Sequence, residues 1–499
     1  MSSTKQQRHY GGITLLGLGP GDASMLTQEA LDWLRSIKKL HLRTKFHPTV
    51  VGLPSHLTLV SFDAFYEKSD AFEAVYEAIV AEVLRLGQQP KGVTYAVPGH
   101  PFVAEATCPE IYQRAVETGI PVRVIHGLSF LEPTFLALEI DPFPELVLMD
   151  AIQLSLGHTP GFPPSSPALV VQIYSRAVAS DVKLTLMAAY PDEHPVRLVH
   201  GAGTEEQTIE DMPLYAIDHS QRLGLLSSLF IPPISETASF ETFQEIIARL
   251  RAPDGCPWDR EQTHSSLRPF LLEEAYETLD AIDREDMVEL EEELGDLLLQ
   301  VVLHAQIATE EGDFNIHNVL EGIGTKLVRR HPHVFSQVKV DGVSGVIRNW
   351  EAIKAEERVE NGIEEKKGLM DGVPKALPAL SQAQAVIDRA GRVGFDELIE
   401  KGTVKYILQC FKDLEKSDDP GKDQRFGELL LALAALAYRH DIDVESALRE
   451  RLKVFREKFS ILEAKAAESG RPLAALSSEE KAALWEKAIQ AYHNGRGAL

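Results

Sequence analysis

Between Leu271 and Gln300 the chain reads LLEEAYETLDAIDREDMVELEEELGDLLLQ, with twelve carboxylates and a single base, Arg284. Carboxylates at this density gain a chemistry when they converge, because hard divalent cations take oxygen ligands. Glu274 and Glu277 are i, i+3 neighbours, as are Glu293 and Asp296, so each pair shares one helix face. The periodicity of Leu290, Leu294, Leu297 and Val301 predicts a helix in the second half of the stretch. The break at 283–286 then predicts helix, short turn, helix, folded back antiparallel. Glu277 and Glu293 stand equally far from residue 285, and so do Glu274 and Asp296. With both helices rising about 1.5 Å per residue, these pairs face each other at matching heights. Such a quartet repels itself unless a cation such as Mg²⁺ or Mn²⁺ joins it. The competing reading is a solvated acidic helix pair, and the near absence of i, i+4 basic partners weighs against it.

The chain has 499 residues, enough for two or three domains with substantial cores. A formal charge of -25 disfavours stable binding to nucleic acid or to an anionic membrane, while leaving nucleotides accessible as metal complexes. Three scattered cysteines, Cys108, Cys256 and Cys410, form no CxxC and fit a reducing cytoplasm. The start, MSSTKQQRHYGG, lacks the apolar run of a signal peptide. The apolar run Leu429 to Tyr438 is too short to span a bilayer and predicts a buried helix.

From residue 12 to 230 short apolar runs alternate with helical patterns, an α/β arrangement. Strands are predicted at Ile13–Leu18, Val93–Val97 and Val122–Ile125, with a helix from about Thr27. Each strand runs into a glycine-bearing turn: GLGPGD, with Gly17, Gly19, Gly21 and Asp22; VPGHP, with Pro98, Gly99 and His100; and GLSF, with Ser129. Three such turns suggest a ligand crevice at the carboxyl ends of a sheet, although glycine turns follow strands in any α/β domain. Together the turns resemble those of the tetrapyrrole (corrin/porphyrin) methylase family, and the stretch from Gln172 to Gly203 resembles its second subdomain. The second motif commonly reads Gly-Asp-Pro, and here His100 stands in place of the acid. The resemblance implies that these eight turn residues line a site for S-adenosylmethionine.

The boundary is predicted near Ile231-Pro232-Pro233-Ile234-Ser235, a proline pair in a polar run. Beyond it the sequence is helical throughout. LRAPDGCPWDREQTHSSLRPFLLEEAYETLDAI, the acidic stretch, LVRRHPHVF and NWEAIKAEER resemble in series the MazG family of nucleoside triphosphate pyrophosphohydrolases, over a domain at 240–365. EEAYE and EEELGD match that family's EExxE and ExxD metal motif. The resemblance implies Glu274, Glu277, Glu293 and Asp296 as metal ligands, and Glu273 or Glu292 as outer-shell acceptor or general base. Lys326, Arg329 and Arg330 become candidates for contacting phosphate, and Trp350 and Trp258 for stacking on a base. A solvated cluster at a helix C-terminus competes for the basic residues, and a buried anchor for the aromatics. His304 reads as a core histidine, and His331 and His333 bracket Pro332 too stiffly for a joint metal site.

Residues 376–499 look like a second, degenerate copy of the same unit. Gln409, Cys410 and Asp413 align with Glu273, Glu274 and Glu277, Phe426 with Glu293, and Glu428 with Asp296. Lys453-Val-Phe-Arg456 aligns with Lys326-Leu-Val-Arg329, and Trp485 with Trp350. A site that has lost most of its oxygens should not hold Mg²⁺. The expected architecture is therefore an α/β methylase-like domain followed by tandem all-α MazG-like domains. A methylase-like domain followed by MazG is a recurring bacterial fusion, and the whole chain resembles it. Either the second copy packs on the first as a pseudo-dimer, or two chains pair as a homo-oligomer. The expected activity is metal-dependent hydrolysis of nucleoside triphosphates to monophosphate and pyrophosphate. Two alternatives are a methyltransferase on a tetrapyrrole-like acceptor and a non-enzymatic ligand-sensing regulator.

Overall fold

The computed structural model describes residues 11–66, 72–336, 338–360, 368, 370–415, 421–468 and 470–496. The sequence-predicted domain ends at 365 and 499 and the loop around Pro420 lie outside them. The chain divides into two compact units, Met1–Glu261 and Gln262–Leu499.

The first unit carries two five-stranded sheets. In the first, β1 (Ile13–Gly17), β2 (Lys39–Leu42), β3 (Thr58–Ser61), β4 (Val93–Val97) and β5 (Val122–Ile125) run all parallel, in the order β3-β2-β4-β1-β5. Every residue of β1 and β4 is buried, as strands covered on both faces must be. Leu16, Leu34 and Leu40 pack on one side, and Ile13, Leu15, Val80, Tyr95 and Ile111 on the other. In the second sheet, β6 (Val147–Asp150), β7 (Ala168–Val171), β8 (Pro195–His200), β9 (Thr208–Pro213) and β10 (Ser227–Ile231) pair in the order β6-β7-β10-β8-β9. The β6–β7 pair is parallel and the remaining pairs are antiparallel. The predicted first helix begins where Thr27 caps Gln28–Ser36, its Oγ1 accepting from the Ala30 amide at 3.2 Å. By contact, the helices Phe240–Arg251 and Pro257–Glu261 group with this first unit.

The second unit is helical. Its long helices are α1 (Arg268–Arg284), α2 (Met287–Glu311), α3 (Ile316–Arg330), α4 (Gly342–Glu360), α5 (Ala379–Arg392), α6 (Val404–Glu415), α7 (Lys422–Arg439), α8 (Val444–Glu468) and α9 (Ser478–Arg496). Between α1 and α2 the chain reverses in two residues. Glu285 takes the left-handed conformation at φ 54°, and Asp286 caps α2 by accepting from the Glu289 amide at 3.2 Å. The apolar stripe expected to anchor α2 is only partly covered, with Leu290 and Leu297 half-buried. Leu294 is 50% and Val301 40% exposed, and α2 instead buries Val302, Leu303, Ala305, Ile307 and Ala308. An antiparallel helix pair buries one face of each helix and leaves the outer stripe to whatever packs there next. The run Leu429–Tyr438 forms part of α7 and is buried at Leu429, Ala432, Ala434 and Ala435. No helix among the described residues is long and apolar enough to cross a membrane.

Candidate functional site

The hairpin α1–α2 brings the acidic residues together. One carboxylate oxygen each from Glu274, Glu277 and Glu293 lies within 4.8 Å of the others. Thr278, buried between the helices, donates to the Glu274 carbonyl at 2.7 Å and lies 3.5 Å from the Glu293 carbonyl. Asp296 stands outside that tight trio but beside it. Burial first, and then the charges of Asp296, Glu277, Glu293 and Glu273, raise the pKa of Glu274 above the ordinary range. Burial and then Glu277, Asp296, Glu292 and Glu289 do the same to Glu293. Among the charges acting on Glu293 the first is Glu277, and among those acting on Glu274 the first is Asp296.

The remaining acids of the stretch behave differently. Arg284 pairs with Asp280 at 2.8 Å and also with Glu289. Asp283 meets Arg449 at 3.3 Å and Asp280 meets Lys453 at 4.0 Å. Among the described residues no Lys or Arg forms an ion pair with Glu274, Glu277, Glu293 or Asp296. Bases therefore neutralise the rim of the hairpin and leave its centre bare. A partly exposed set of at least three oxygens, in which Glu274 and Glu293 have their pKa raised by burial and then by neighbouring carboxylates, fits a hard divalent cation. Glu273 and Glu292 are exposed beside this centre.

The basic candidates gather at the end of α3. Arg330 donates to both carboxylate oxygens of Glu357, from Nε at 3.2 Å and Nη2 at 2.5 Å, and its guanidinium lies 5.9 Å from the Trp350 ring. Arg330 first, and also Arg329 and Lys326, hold the Glu357 carboxyl below its usual range. Lys354 lies 4.3 Å from the centroid of the same Trp350 ring, whose indole nitrogen is buried with no hydrogen-bond partner among the described residues. Trp258 belongs to the other compact unit, on the helix Pro257–Glu261, and is 54% exposed. His304 is partly buried on α2, its ring stacked on His264 at 5.0 Å.

The three glycine turns of the first unit also converge. The Gly99 amide donates to Gly19 O at 2.8 Å and the Gly19 amide to Gly99 O at 3.2 Å, with both residues at positive φ. A Cβ on Gly17 would sit 2.6 Å from Gly99 O and from the Gly127 nitrogen, so the three strand ends touch backbone to backbone. A Cβ on Gly99 would meet nothing nearer than 3.9 Å, which leaves that backbone open to a ligand. A Cβ on Gly21 would meet Gly203 O at 2.3 Å, and Asp22 caps the next turn through the Ser24 amide at 2.7 Å. Pro98 leads into this contact, and Ser129 is buried, donating to Glu132 at 2.6 Å. His100 Nδ1 accepts from the Phe102 amide at 3.0 Å, so its Nε2 carries the proton and donates to His126 Nδ1 at 2.9 Å. Burial and then His126 lower the pKa of His100.

Several supporting residues carry no signal in the sequence. His126 has no motif spacing to His100. Thr49 is fully buried and donates to Leu18 O at 3.0 Å and Gly21 O at 2.7 Å, tying down the first glycine turn. Gln172 donates to Ala104 O at 3.2 Å, and both residues adopt positive φ despite their side chains. Arg449 and Lys453 reach α1 from the far end of the chain.

Comparison with known proteins agrees with this division. Residues 12–218 match the tetrapyrrole (corrin/porphyrin) methylases, and residues 262–335 match the MazG nucleotide pyrophosphohydrolase domain. The protein YabN of Bacillus subtilis (strain 168) is 42% identical over 493 residues, covering 96% of this chain and 98% of its own length. The nucleoside triphosphate pyrophosphohydrolase/pyrophosphatase MazG of Thermotoga maritima is 40% identical over 250 residues, 50% of this chain and 95% of that protein. The nucleoside triphosphate pyrophosphohydrolase of Escherichia coli (strain K12) is 38% identical over 249 residues, 48% of this chain and 94% of that protein.

Proposed function

Since the chain belongs to the family that joins a tetrapyrrole methylase domain to a MazG nucleotide pyrophosphohydrolase domain, we propose that α1–α2 hydrolyses nucleoside triphosphates to monophosphate and pyrophosphate with Mg²⁺ or Mn²⁺. The observation that carries this reading is the bare acidic centre, three oxygens within 4.8 Å of one another, while Asp280, Asp283 and Glu289 towards the turn are paired with bases. Glu274, Glu277 and Glu293, with Asp296 alongside, would hold the cation. Bound there, the cation supplies charge neutralisation for the phosphates and lowers the pKa of water.

The protein's own groups do the rest. Glu273 or Glu292, exposed at the margin of the centre, is available to accept the proton from the attacking water. Lys326 and Arg329 are the candidates for the phosphates. Arg330 reaches a phosphate only by giving up Glu357, so its role is to hold α4 and Trp350 in position. Trp350 remains a candidate for base stacking. The ion pairs of Arg449 and Lys453 with α1 support an intramolecular pseudo-dimer, and the open stripe at Leu294 and Val301 supports pairing between chains. A cytoplasmic setting fits the free cysteines.

The decisive experiment incubates a panel of nucleoside triphosphates with the protein and Mg²⁺ and identifies every product. Equimolar monophosphate and pyrophosphate, abolished by chelation, is expected. Release of orthophosphate alone, or no turnover, would sink the reading. A second reading concerns the first unit, whose touching glycine turns and open Gly99 backbone support binding of S-adenosylmethionine. Equilibrium dialysis with the labelled donor tests it, and failure to bind at millimolar concentration rejects it.

A further inference from the structure

The hairpin α1–α2 is closed at one end by the turn at Glu285 and open at the other. At the open end His264, in the segment leading into α1, meets His304 on α2, Nδ1 to Nδ1 at 2.7 Å. The carboxylates lie between these two ends. His304 stands eight residues beyond Asp296, about 12 Å further along the helix, so the pair stands clear of a cation held by the acids.

Two nitrogens at this distance share one proton, and the surroundings decide which ring supplies it. Glu311 lies 3.8 Å from His264 Nε2, and a carboxylate favours an N–H there over a lone pair. His264 then accepts at Nδ1, and His304 carries its proton on Nδ1 and donates. The Nε2 of His304, buried with no partner among the described residues, is left as a lone pair, and no N–H is stranded. A further proton has no good place. On His264 Nδ1 it would face the His304 proton, and shifting that one to Nε2 would bury an unpartnered donor. Burial and then His264 lower the pKa of His304, in agreement with a neutral His304 ring.

Repulsion among Glu274, Glu277, Glu293 and Asp296 pushes the two helices apart, and the turn resists it at one end only. At the open end Leu267 and Leu303 are buried, but apolar burial is non-directional and does not fix spacing and rotation as a directed bond does. We propose that His264 and His304 form a clasp that sets the spacing of α1 and α2 at the open end and so positions the acids for their cation. The proposal rests on the metal reading of the acidic centre, and both histidines act in it as positioning residues. Glu311 is the charged group facing the clasp. The bond is present above the ordinary histidine range, about 6.5, and is lost as pH falls below it.

The test is calorimetric titration of the full chain with Mn²⁺ alone, from about pH 8 to about pH 5.5, across the histidine range. It compares wild type with His264→Ala, which removes the clasp, and with His264→Asn, whose amide oxygen can accept from His304 Nδ1 and does not titrate. At the upper pH His264→Ala should bind Mn²⁺ about three- to tenfold more weakly, and His264→Asn within about twofold of wild type. As pH falls the wild type should lose affinity more steeply than His264→Asn, since both keep the same carboxylates. Equal affinity of wild type and His264→Ala overturns the proposal. So does a His264→Asn chain as weak as His264→Ala, or one whose pH profile matches that of the wild type. Should His264→Ala not fold, the comparison of pH profiles decides alone. Mn²⁺ left unbound by every form, wild type included, removes the metal reading itself and the proposal with it.

Discussion

The helical unit contains two helical hairpins, α1–α2 and α6–α7, that differ in what they carry. In α1–α2 the helices meet over Glu274, Glu277 and Glu293, whose carboxylates repel one another. In α6–α7 the aligned face is quiet. Gln409 donates to both oxygens of Asp413, at 2.8 and 3.0 Å, and so satisfies that carboxylate without a metal. Phe426, at the position of Glu293, is 50% exposed, while Ile407, Leu429 and Ala432 bury the seam between the helices. The difference teaches that folding of the hairpin depends on its small and aliphatic seam residues. The acidic centre is an added cost that makes sense where a cation relieves it.

The largest expected effect breaks this comparison outright. Glu274→Gln/Glu277→Gln should cut Mg²⁺-dependent pyrophosphate release by more than about a hundredfold, beyond what loss of an outer-shell partner costs. Asp413→Asn in the second hairpin should leave it within about twofold. Equal losses in the two variants would show that the hairpins share the work.

The next effect is a pH dependence. A carboxyl whose pKa is higher folded than unfolded binds its proton more tightly in the folded state. Its contribution to stability is full below the unfolded pKa and is lost as pH rises through the folded one. Glu274 and Glu293 are shifted this way. Metal-free Glu274→Gln should therefore gain in Tm over the metal-free wild type as pH rises from the usual glutamate range, about 4.3, towards neutrality. Saturating Mg²⁺ should narrow or reverse that gap. Calorimetry across pH, with and without metal, reads both, and a gap that does not grow with pH removes the repulsion from the account.

Smaller effects sharpen how the hairpins are joined. Arg449 pairs with Asp283, with both side chains partly buried, and its guanidinium lies 5.8 Å from the Tyr276 ring. Arg449→Ala should cost up to about 1 kcal/mol in urea unfolding, whereas the neighbouring exposed Arg451→Ala should cost nothing measurable. Glu285→Gly should stabilise the protein by about 1 kcal/mol, because a glycine at φ 54° escapes the left-handed penalty. Urea unfolding of that variant would be the check, and a loss of stability would mean that the Glu285 side chain holds the turn.

Much of the acidic cluster was legible along the chain. Helix rise is a constant of the backbone, so equal distances from residue 285 suffice to pair Glu277 with Glu293 and Glu274 with Asp296. The strands of the first unit were legible for a similar reason: Val93–Val97 is a continuous apolar run ending in Pro98 and Gly99, and it forms β4 with those bounds. The open stripe on α2 was not. Leu294 and Val301 have the periodicity of buried residues, and periodicity says which residues share a face without saying what covers it. The division at Glu261 was likewise hidden, since helices on either side of it have similar composition.

Sequence by itself determined the local geometry and the side chains available for chemistry: which acids share a helix face, which turns demand glycine, and which hairpin carries the carboxylates. These follow from fixed rise, allowed φ and side-chain type, all properties of neighbours in the chain. Tertiary structure alone decided which charges are neutralised and which are left bare. Arg449 reaches Asp283 across 166 residues, His126 reaches His100 between separate turns, and Asp296 stands beside the trio and not within it. Such contacts depend on packing between distant segments, and no spacing along the chain encodes them.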